Sequence, residues 1–177
     1  MKTHKDMTNR EVAKLLRQVS AALEVTDADP PGGEASRFRI IAYDNAADSI
    51  EHATSEAKDL WEQNKLDDLP GIGPNLKSHL DELFRTGKVK HFMTISKNLP
   101  QGMFELLDVP GIGPKTAFKL AKHLGLNRSE NALKKLQQAA KEGQIKDIEG
   151  FGKQSQKEIL QALGEAKTKE NRIHLPL

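Results

Sequence analysis

The sequence predicts an all-α fold made of tandem helical hairpins in two small helical subdomains. Apolar residues recur at helical spacing along most of the 177 residues, and no stretch alternates apolar and polar residues for long enough to predict a strand. A short turn between two glycines also occurs three times, as GIG at 71–73, GIG at 111–113 and GFG at 150–152. Repetition at a near-constant interval indicates one helical unit used several times.

The composition is that of a folded protein, with 37% hydrophobic and 29% charged residues. The chain contains no cysteine, which excludes disulfides and thiolate metal sites and suits a reducing cytoplasm. No apolar run approaches the length of a membrane span, and the first residues lack the hydrophobic centre of a signal peptide. We therefore expect a cytoplasmic protein with no membrane partner.

The charge is unevenly distributed along the chain. Residues 1–66 carry 9 Lys and Arg against 12 Asp and Glu, a net charge of −3. Residues 67–177 carry 18 against 13, a net charge of +5. The basic excess therefore lies in the part that holds the glycine turns, which is the sign expected of a segment that meets phosphate.

Three helices are predicted before the first turn. Thr8 and Glu11 form a capping box ahead of a helix whose apolar face is Val12, Leu15, Leu16, Val19 and Leu23. The segment 27–36, DADPPGGEAS, is predicted to be a loop because its prolines and glycines break helices. A second helix follows over 37–53, with Ile41, Ala42, Ala46 and Ile50 facing inward, and a short third helix begins at Ser55.

Each glycine turn sits between two helical patterns. An apolar residue lies two positions before each turn, at Leu69, Val109 and Ile148. Pro74 and Pro114 stand where the next helix begins, a position at which the missing N–H is not needed. The central residues Ile72, Ile112 and Phe151 are expected to point into the hairpins and lock them.

The turns have the chemistry of a phosphate site. Glycine permits unusual backbone angles and leaves no side chain to hold a ligand away, and the unpaired N–H groups at a helix N-terminus attract anions. The pattern resembles the helix-hairpin-helix motif, which in the proteins that carry it grips the DNA backbone without reading bases; such contacts position a protein on DNA but do not select a sequence. A glycine-containing hairpin of an ordinary helical bundle is the alternative, and three copies favour DNA. The predicted contacts to double-stranded DNA are Gly71, Gly73, Lys77, Gly111, Gly113, Lys115, Lys119, Gly150, Gly152 and Lys153.

The order of these segments resembles the N-terminal half of bacterial family X DNA polymerases. The resemblance covers roughly residues 8–165 by motif placement, is strongest over 66–124, and includes AYDNAA at 42–47. It implies a lyase-like domain over 1–92 with the first motif, a second helical domain over 93–167 with the other two, and a tail over 168–177.

The resemblance also implies site residues and partners. Arg39 and Tyr43 are expected near a DNA 5′-phosphate, although Tyr43 as a half-buried helix aromatic with its hydroxyl in water is an equal alternative. Four backbone carbonyls are expected to hold Na⁺ or K⁺ shared with a phosphate, those of Leu69, Ile72, Val109 and Ile112. No cofactor is required. Gapped or nicked DNA and a separate polymerase or repair protein are the implied partners.

The chain departs from the family where the polymerase palm would follow, since it ends at NRIHLPL. The Asp27–Ala28–Asp29 segment lies in the Pro/Gly loop and predicts a solvated turn, and Asp67 with Asp68 predicts a turn or helix start. The six histidines fall at no metal-ligand spacing. Because nucleotidyl transfer needs two divalent ions held by placed carboxylates, we expect no primer extension by this chain.

A second departure concerns lyase chemistry. In the family, as the resemblance aligns it, the nucleophilic lysine stands ten residues after the leucine that Leu69 matches, and here that position is His79. Imidazole has no primary amine for an imine, and Lys77 points about 200° away around the helix. Lys77 is thus a poor catalytic candidate, Lys88 and Lys90 lie beyond Gly87, and His79 is expected to be a partly exposed helix residue. Three functions stay open: a DNA-binding module, a 5′-deoxyribose-phosphate or abasic-site lyase, and a protein-interaction scaffold.

Overall fold

The computed structural model describes residues 7–26 and 34–173, with the backbone alone for 167–173. All regular secondary structure within these ranges is helical, which confirms the predicted all-α fold. The chain divides into two compact units, Met1–Asn98 and Leu99–Leu177. Among the described helices, none combines the length and apolar character that a transmembrane span requires.

The first unit is organised around two long helices, α1 (Asn9–Thr26) and α2 (Glu34–Glu51), which pack along each other. The shorter helices α3 (Ala57–Glu62), α4 (Pro74–Thr86) and α5 (Lys90–Ser96) follow, and a 3₁₀ turn at Leu66–Asp68 precedes α4. Their apolar faces meet in one core that includes Leu16, Leu23, Ile50, Leu66, Leu80, Leu83 and Phe84. This core fixes the start of α4, where the first glycine turn lies.

The second unit contains α6 (Gly102–Leu106), α7 (Pro114–His123), α8 (Ala132–Lys141) and α9 (Lys153–Ile173), with a 3₁₀ turn at Ile145–Asp147 before α9. Glycine is needed at the first position of α6, Gly102, because a β-carbon there would lie 2.6 Å from the β-carbon of Leu126. The Leu126 carbonyl also accepts the Gly102 N–H at 2.9 Å. Large side chains that are fully buried in this unit are Met103, Leu106, Leu120, Leu126 and Leu136.

The predicted start of the first helix is confirmed. The Glu11 carboxylate accepts the Thr8 N–H at 2.9 Å, and the Thr8 hydroxyl accepts the Glu11 N–H at 3.2 Å, which is a reciprocal capping box. Most of the predicted α1 face is buried, at Val12, Leu16, Val19 and Leu23, whereas Leu15 is partly buried at the edge of the core.

The predicted inward face of the second helix was wrong in its first half. Ile41 is 51% exposed and Ala42 is also exposed, while Tyr43, Ala46, Ala47 and Ile50 are buried. The buried residues are spaced by three or four positions starting from Tyr43, because the ring of Tyr43 packs edge to face against Phe92 of α5 at 5.7 Å. The structure therefore turns the helix so that Tyr43, not Ile41, begins its inner stripe.

Three predicted boundaries also differ from the structure. Helix α2 begins at Glu34, so residues 34–36 of the predicted loop are helical, and Asp27–Ala28–Asp29 lie outside the described residues. Helix α9 runs to Ile173, within the predicted tail. The predicted division between 92 and 93 falls inside α5, whereas the units divide after Asn98, because Phe92 and Ile95 both pack on the first core.

Candidate nucleic-acid interface

The first glycine has the same backbone conformation in all three turns. Their first glycines, Gly71, Gly111 and Gly150, have φ angles of +78°, +85° and +87°, in the left-handed region that favours glycine. The apolar residues two positions earlier are buried in all three turns, as are the central residues Ile72 and Ile112. The expected locking role is confirmed for those two, while Phe151 in the third turn is only partly buried.

The second glycine of each turn is open to solvent. Gly73 and Gly113 have φ angles of −81° and −87° with ψ at 177°, an extended conformation that any residue adopts. A β-carbon at Gly73, Gly113 or Gly152 would meet no atom within 4 Å. Neither backbone strain nor packing in the described chain therefore requires glycine at these positions.

The open glycines lie directly in front of helix N-termini. Pro74 and Pro114 occupy the first turns of α4 and α7, as predicted, and no side chain caps either helix. The first N–H groups bonded back into the turns belong to Lys77 and Ala117, each 2.9 Å from the carbonyl of Gly73 or Gly113. The N–H groups ahead of them have no intrahelical acceptor, and the helix dipole adds positive potential there.

Lysines surround the second and third turns. Lys115 and Lys119 line a shallow cavity of about 290 Å³ together with Gly111 and Gly150. The Lys119 ammonium lies 3.6 Å from the place where a β-carbon of Gly150 would be, so a lysine of α7 reaches the third turn. The remaining lining residues include Thr116, Ser155 and Glu158, and Lys153 is exposed at the start of α9.

The first turn differs in its charge. The Lys77 ammonium lies 2.7 Å from the Asp67 carboxylate, which belongs to the 3₁₀ turn before α4. The predicted DNA-contacting lysine of this hairpin is therefore already paired with an acid, with side chains 37% and 68% exposed respectively. The local positive potential is weaker here than at the second turn.

Tyr43 belongs to an aromatic cluster that joins α2, α4 and α5. The residue as a whole is only 7% exposed, which is more buried than the half-buried alternative. Burial raises the pKa of the Tyr43 phenol, and the nearby charge of Arg39 opposes that shift. The Tyr43 ring packs against Phe92, whose ring lies 5.2 Å from that of His79.

His79 is more constrained than a plain exposed helix residue. Its ring stacks on His91 of α5, with centroids 5.2 Å apart and planes within 4°. Burial and the charge of His91 lower the pKa of His79, and the Glu82 carboxylate partly offsets this. Sequence reasoning missed His91 and Phe92 because they belong to no motif; their only signal was their proximity in sequence to the end of the first hairpin.

The described residues offer no metal site of the carboxylate or imidazole type, since no three of their His, Asp and Glu side chains converge. The expected cation site would instead use backbone carbonyls at the turns. One of these, the Val109 carbonyl, accepts the Ile112 N–H at 3.1 Å. Because a carbonyl has a second lone pair, this bond is compatible with an ion, and the cation site stays a prediction.

Comparison with known proteins shows which domain families contain segments similar to these turns. A helix-hairpin-helix domain family matches residues 7–89, and a SAM-like helix-hairpin-helix tandem matches residues 103–165. The chain is 31% identical over 160 residues to the DNA polymerase/3′-5′ exonuclease PolX of Bacillus subtilis (strain 168). That alignment covers 90% of this chain and 26% of the relative, so the chain spans about a quarter of its relative's length. Helix-hairpin-helix domains thus account for most of the chain, and the predicted resemblance to the bacterial family X DNA polymerases is confirmed.

Proposed function

We propose that this protein binds double-stranded DNA through backbone phosphates, independently of base sequence. The observation that carries the proposal is the openness of Gly73, Gly113 and Gly152, at which a β-carbon would touch nothing in the chain. Glycine at such positions is explained if a ligand must approach the backbone closely. The exposed helix N-termini and nearby lysines indicate that the ligand is an anion.

The second unit is the main gripping surface in this proposal. Two of its turns lie beside Lys115 and Lys119, whose charges the described salt bridges do not neutralise. Contacts of this kind set affinity and position on the duplex but carry no base information. The relative is a DNA polymerase and exonuclease. We therefore propose that this protein binds gapped or nicked repair DNA at the nucleoid, together with a polymerase or another repair protein.

The test is a salt series on two intact duplexes of unrelated sequence. Each neutralised phosphate releases counterions, so the logarithm of affinity should fall linearly with the logarithm of salt concentration and be equal for both duplexes. Lys119→Ala should reduce the magnitude of this slope by about 1. Lys97→Ala removes the same charge from an exposed position outside all three turns and should leave the slope unchanged. Salt-insensitive binding would instead favour the protein-interaction scaffold.

The ion pair at the first turn leads to a separate prediction. Asp67→Asn removes the carboxylate that engages Lys77 and frees the ammonium for phosphate. We expect DNA affinity to rise by up to about fivefold, since an exposed ion pair contributes at most about 1 kcal/mol. Asp68→Asn is the matched control, because it removes the same charge from the neighbouring exposed residue. Equal effects of the two variants in a binding titration would show that only net charge matters.

A further inference from the structure

The outer face of α2 carries apolar side chains that are exposed to solvent. Phe38 is 67% exposed and Ile41 is 51% exposed, and Ala42 beside them is exposed as well. Of the large hydrophobic side chains in the described residues, only Met93 of α5 is comparably exposed. At about 100° per residue, Phe38 and Ile41 lie about 60° apart around the helix, on the side away from the buried Tyr43. They form one apolar stripe, which is the feature that marks interaction surfaces, whereas single exposed apolar residues are ordinary.

Two residues of opposite charge border this stripe. Arg37 and Asp44 are seven positions apart, about two helical turns, and lie within about 20° of each other around α2. Both are exposed, and neither forms an ion pair with another described residue. Asp48, one turn further on, already contacts Arg17 of α1 at 2.7 Å. The stripe therefore has an unpaired positive charge near its start and an unpaired negative charge near its end.

This charge pattern selects among the partners that an apolar face could meet. Helix α2 contains four acidic residues against two arginines, which disfavours a DNA duplex. The same composition disfavours a membrane surface, because helices that lie on membranes carry lysine and arginine on their polar face. A second copy of the chain is complementary. When one α2 is turned end for end against another, Arg37 of each copy faces Asp44 of the other.

We propose that two copies of this protein associate through antiparallel packing of their α2 helices. The two-fold axis lies between the helices, close to Ile41, so the Ile41 side chains of the two copies meet there. Phe38 then packs over Ala42 of the second copy, and two Arg37–Asp44 ion pairs form, one on each side of the axis. The interface is isologous and closes at two copies. The proposal is independent of the proposed DNA-binding function, and it gives the dimer two sets of DNA-gripping turns.

The size of the surface determines the expected strength of association. One pair of helices with few large apolar side chains buries less than the roughly 1,600 Å² of a standard specific interface. We therefore expect a reversible dimer that forms in the micromolar range. Each ion pair stays exposed to solvent, so it contributes little affinity and mainly selects the antiparallel orientation.

Sedimentation equilibrium of the full chain without DNA, from about 1 µM to about 500 µM, tests the association. We expect the average mass to rise with concentration from monomer toward dimer. Ile41→Asp places two like charges at the axis and should abolish this rise. Met93→Asp makes the same change at the other comparably exposed apolar residue and should not affect it. A natural protein that stays monomeric throughout, or equal loss of association in both variants, would overturn the proposal.

Charge reversal tests the antiparallel orientation. Arg37→Asp and Asp44→Arg each replace both ion pairs by contacts between like charges, so each variant alone should dimerise about tenfold more weakly. An equimolar mixture of the two variants should regain association, because each introduced charge then faces an opposite charge on the other variant. Since this recovery is a gain, unfolding cannot produce it. A mixture that associates no better than the separate variants would overturn the antiparallel assignment.

Covalent trapping gives an independent measurement. The chain contains no cysteine, so one introduced thiol can pair only with the same thiol of a second copy. Ile41→Cys should form a covalent dimer with oxidised glutathione as the oxidant, because a disulfide requires β-carbons within about 4.5 Å. Met93→Cys is the matched control and should stay monomeric. Equal cross-linking of the two variants would contradict the proposal.

Phe38→Ser separates self-association from DNA binding. It removes the largest exposed apolar side chain of the stripe, so we expect weaker dimerisation. The DNA affinity of dilute, monomeric protein should stay unchanged. Weaker DNA binding with unaltered sedimentation would assign this face to DNA and overturn the dimer. Failure of the natural protein to bind DNA, with its self-association intact, would count only against the proposed DNA-binding function.

Discussion

Gly113→Val should lower DNA affinity by about 10- to 100-fold while the protein stays folded. The valine side chain would stand in open space before α7, where a phosphate must approach the N–H groups, and the loss corresponds to one hydrogen bond to a charged group. The extended backbone at this position accepts valine without strain. The measurement is a binding titration at fixed salt, with circular dichroism and thermal unfolding of the variant.

Two further substitutions make this test specific. Gly164→Val places the same side chain on an exposed residue of α9 where a β-carbon also meets nothing within 4 Å, and it should not change DNA affinity. Gly111→Val should weaken binding and stability together, because φ is +85° there and a β-branched residue is strained. Undiminished binding by folded Gly113→Val would refute the phosphate role of the second turn.

His79→Lys should give the protein a strong imine-forming activity, which we expect to be weak or absent in the natural chain. A lyase of this kind needs an uncharged primary amine, which attacks the sugar aldehyde with loss of water. Burial and the neighbouring His91 charge, which lower the pKa of His79, should act in the same direction on a lysine there. We expect strong borohydride trapping on a nick that carries a 5′-deoxyribose phosphate, against near-background trapping by the natural protein.

The control for this gain is His52→Lys, which adds a lysine at the exposed end of α2. It should trap no better than the natural protein, because an exposed amine stays protonated. Efficient trapping by the natural protein would contradict the prediction, and an adduct at Lys77 would show that its contact with Asp67 does not prevent catalysis. Failure of His79→Lys to trap would mean that this cluster does not receive the sugar.

The sequence was most informative where structure is local. The glycine turns could be predicted because their signal lies within a few consecutive positions. It is a glycine in the left-handed region between two buried apolar residues, as at Val109–Ile112. The inward face of α2 could not, because apolar residues are nearly continuous around Ile41 and Tyr43 and periodicity alone does not choose between them. That choice depends on Phe92, about fifty positions away in sequence.

The same distinction applies to the site. The open space in front of Gly113 and the reach of Lys119 toward Gly150 are properties of tertiary packing, although the residues themselves were predicted as contacts. The stacking of His79 on His91 requires α4 and α5 to meet at one angle, and nothing in the spacing of histidines encodes it. Sequence reasoning identified His79 from the family alignment and missed its partner.

The position of Lys119 has a consequence for how the second unit holds DNA. Because this lysine belongs to α7 yet lies at the third turn, the two turns share a charge and are held at a set separation within one compact unit. A duplex bound at one turn presents its next phosphates to the other at high effective concentration, so their contributions multiply as avidity. A substitution that disrupts either turn should therefore lower the DNA affinity by more than half. A single hairpin excised as a peptide should bind DNA poorly.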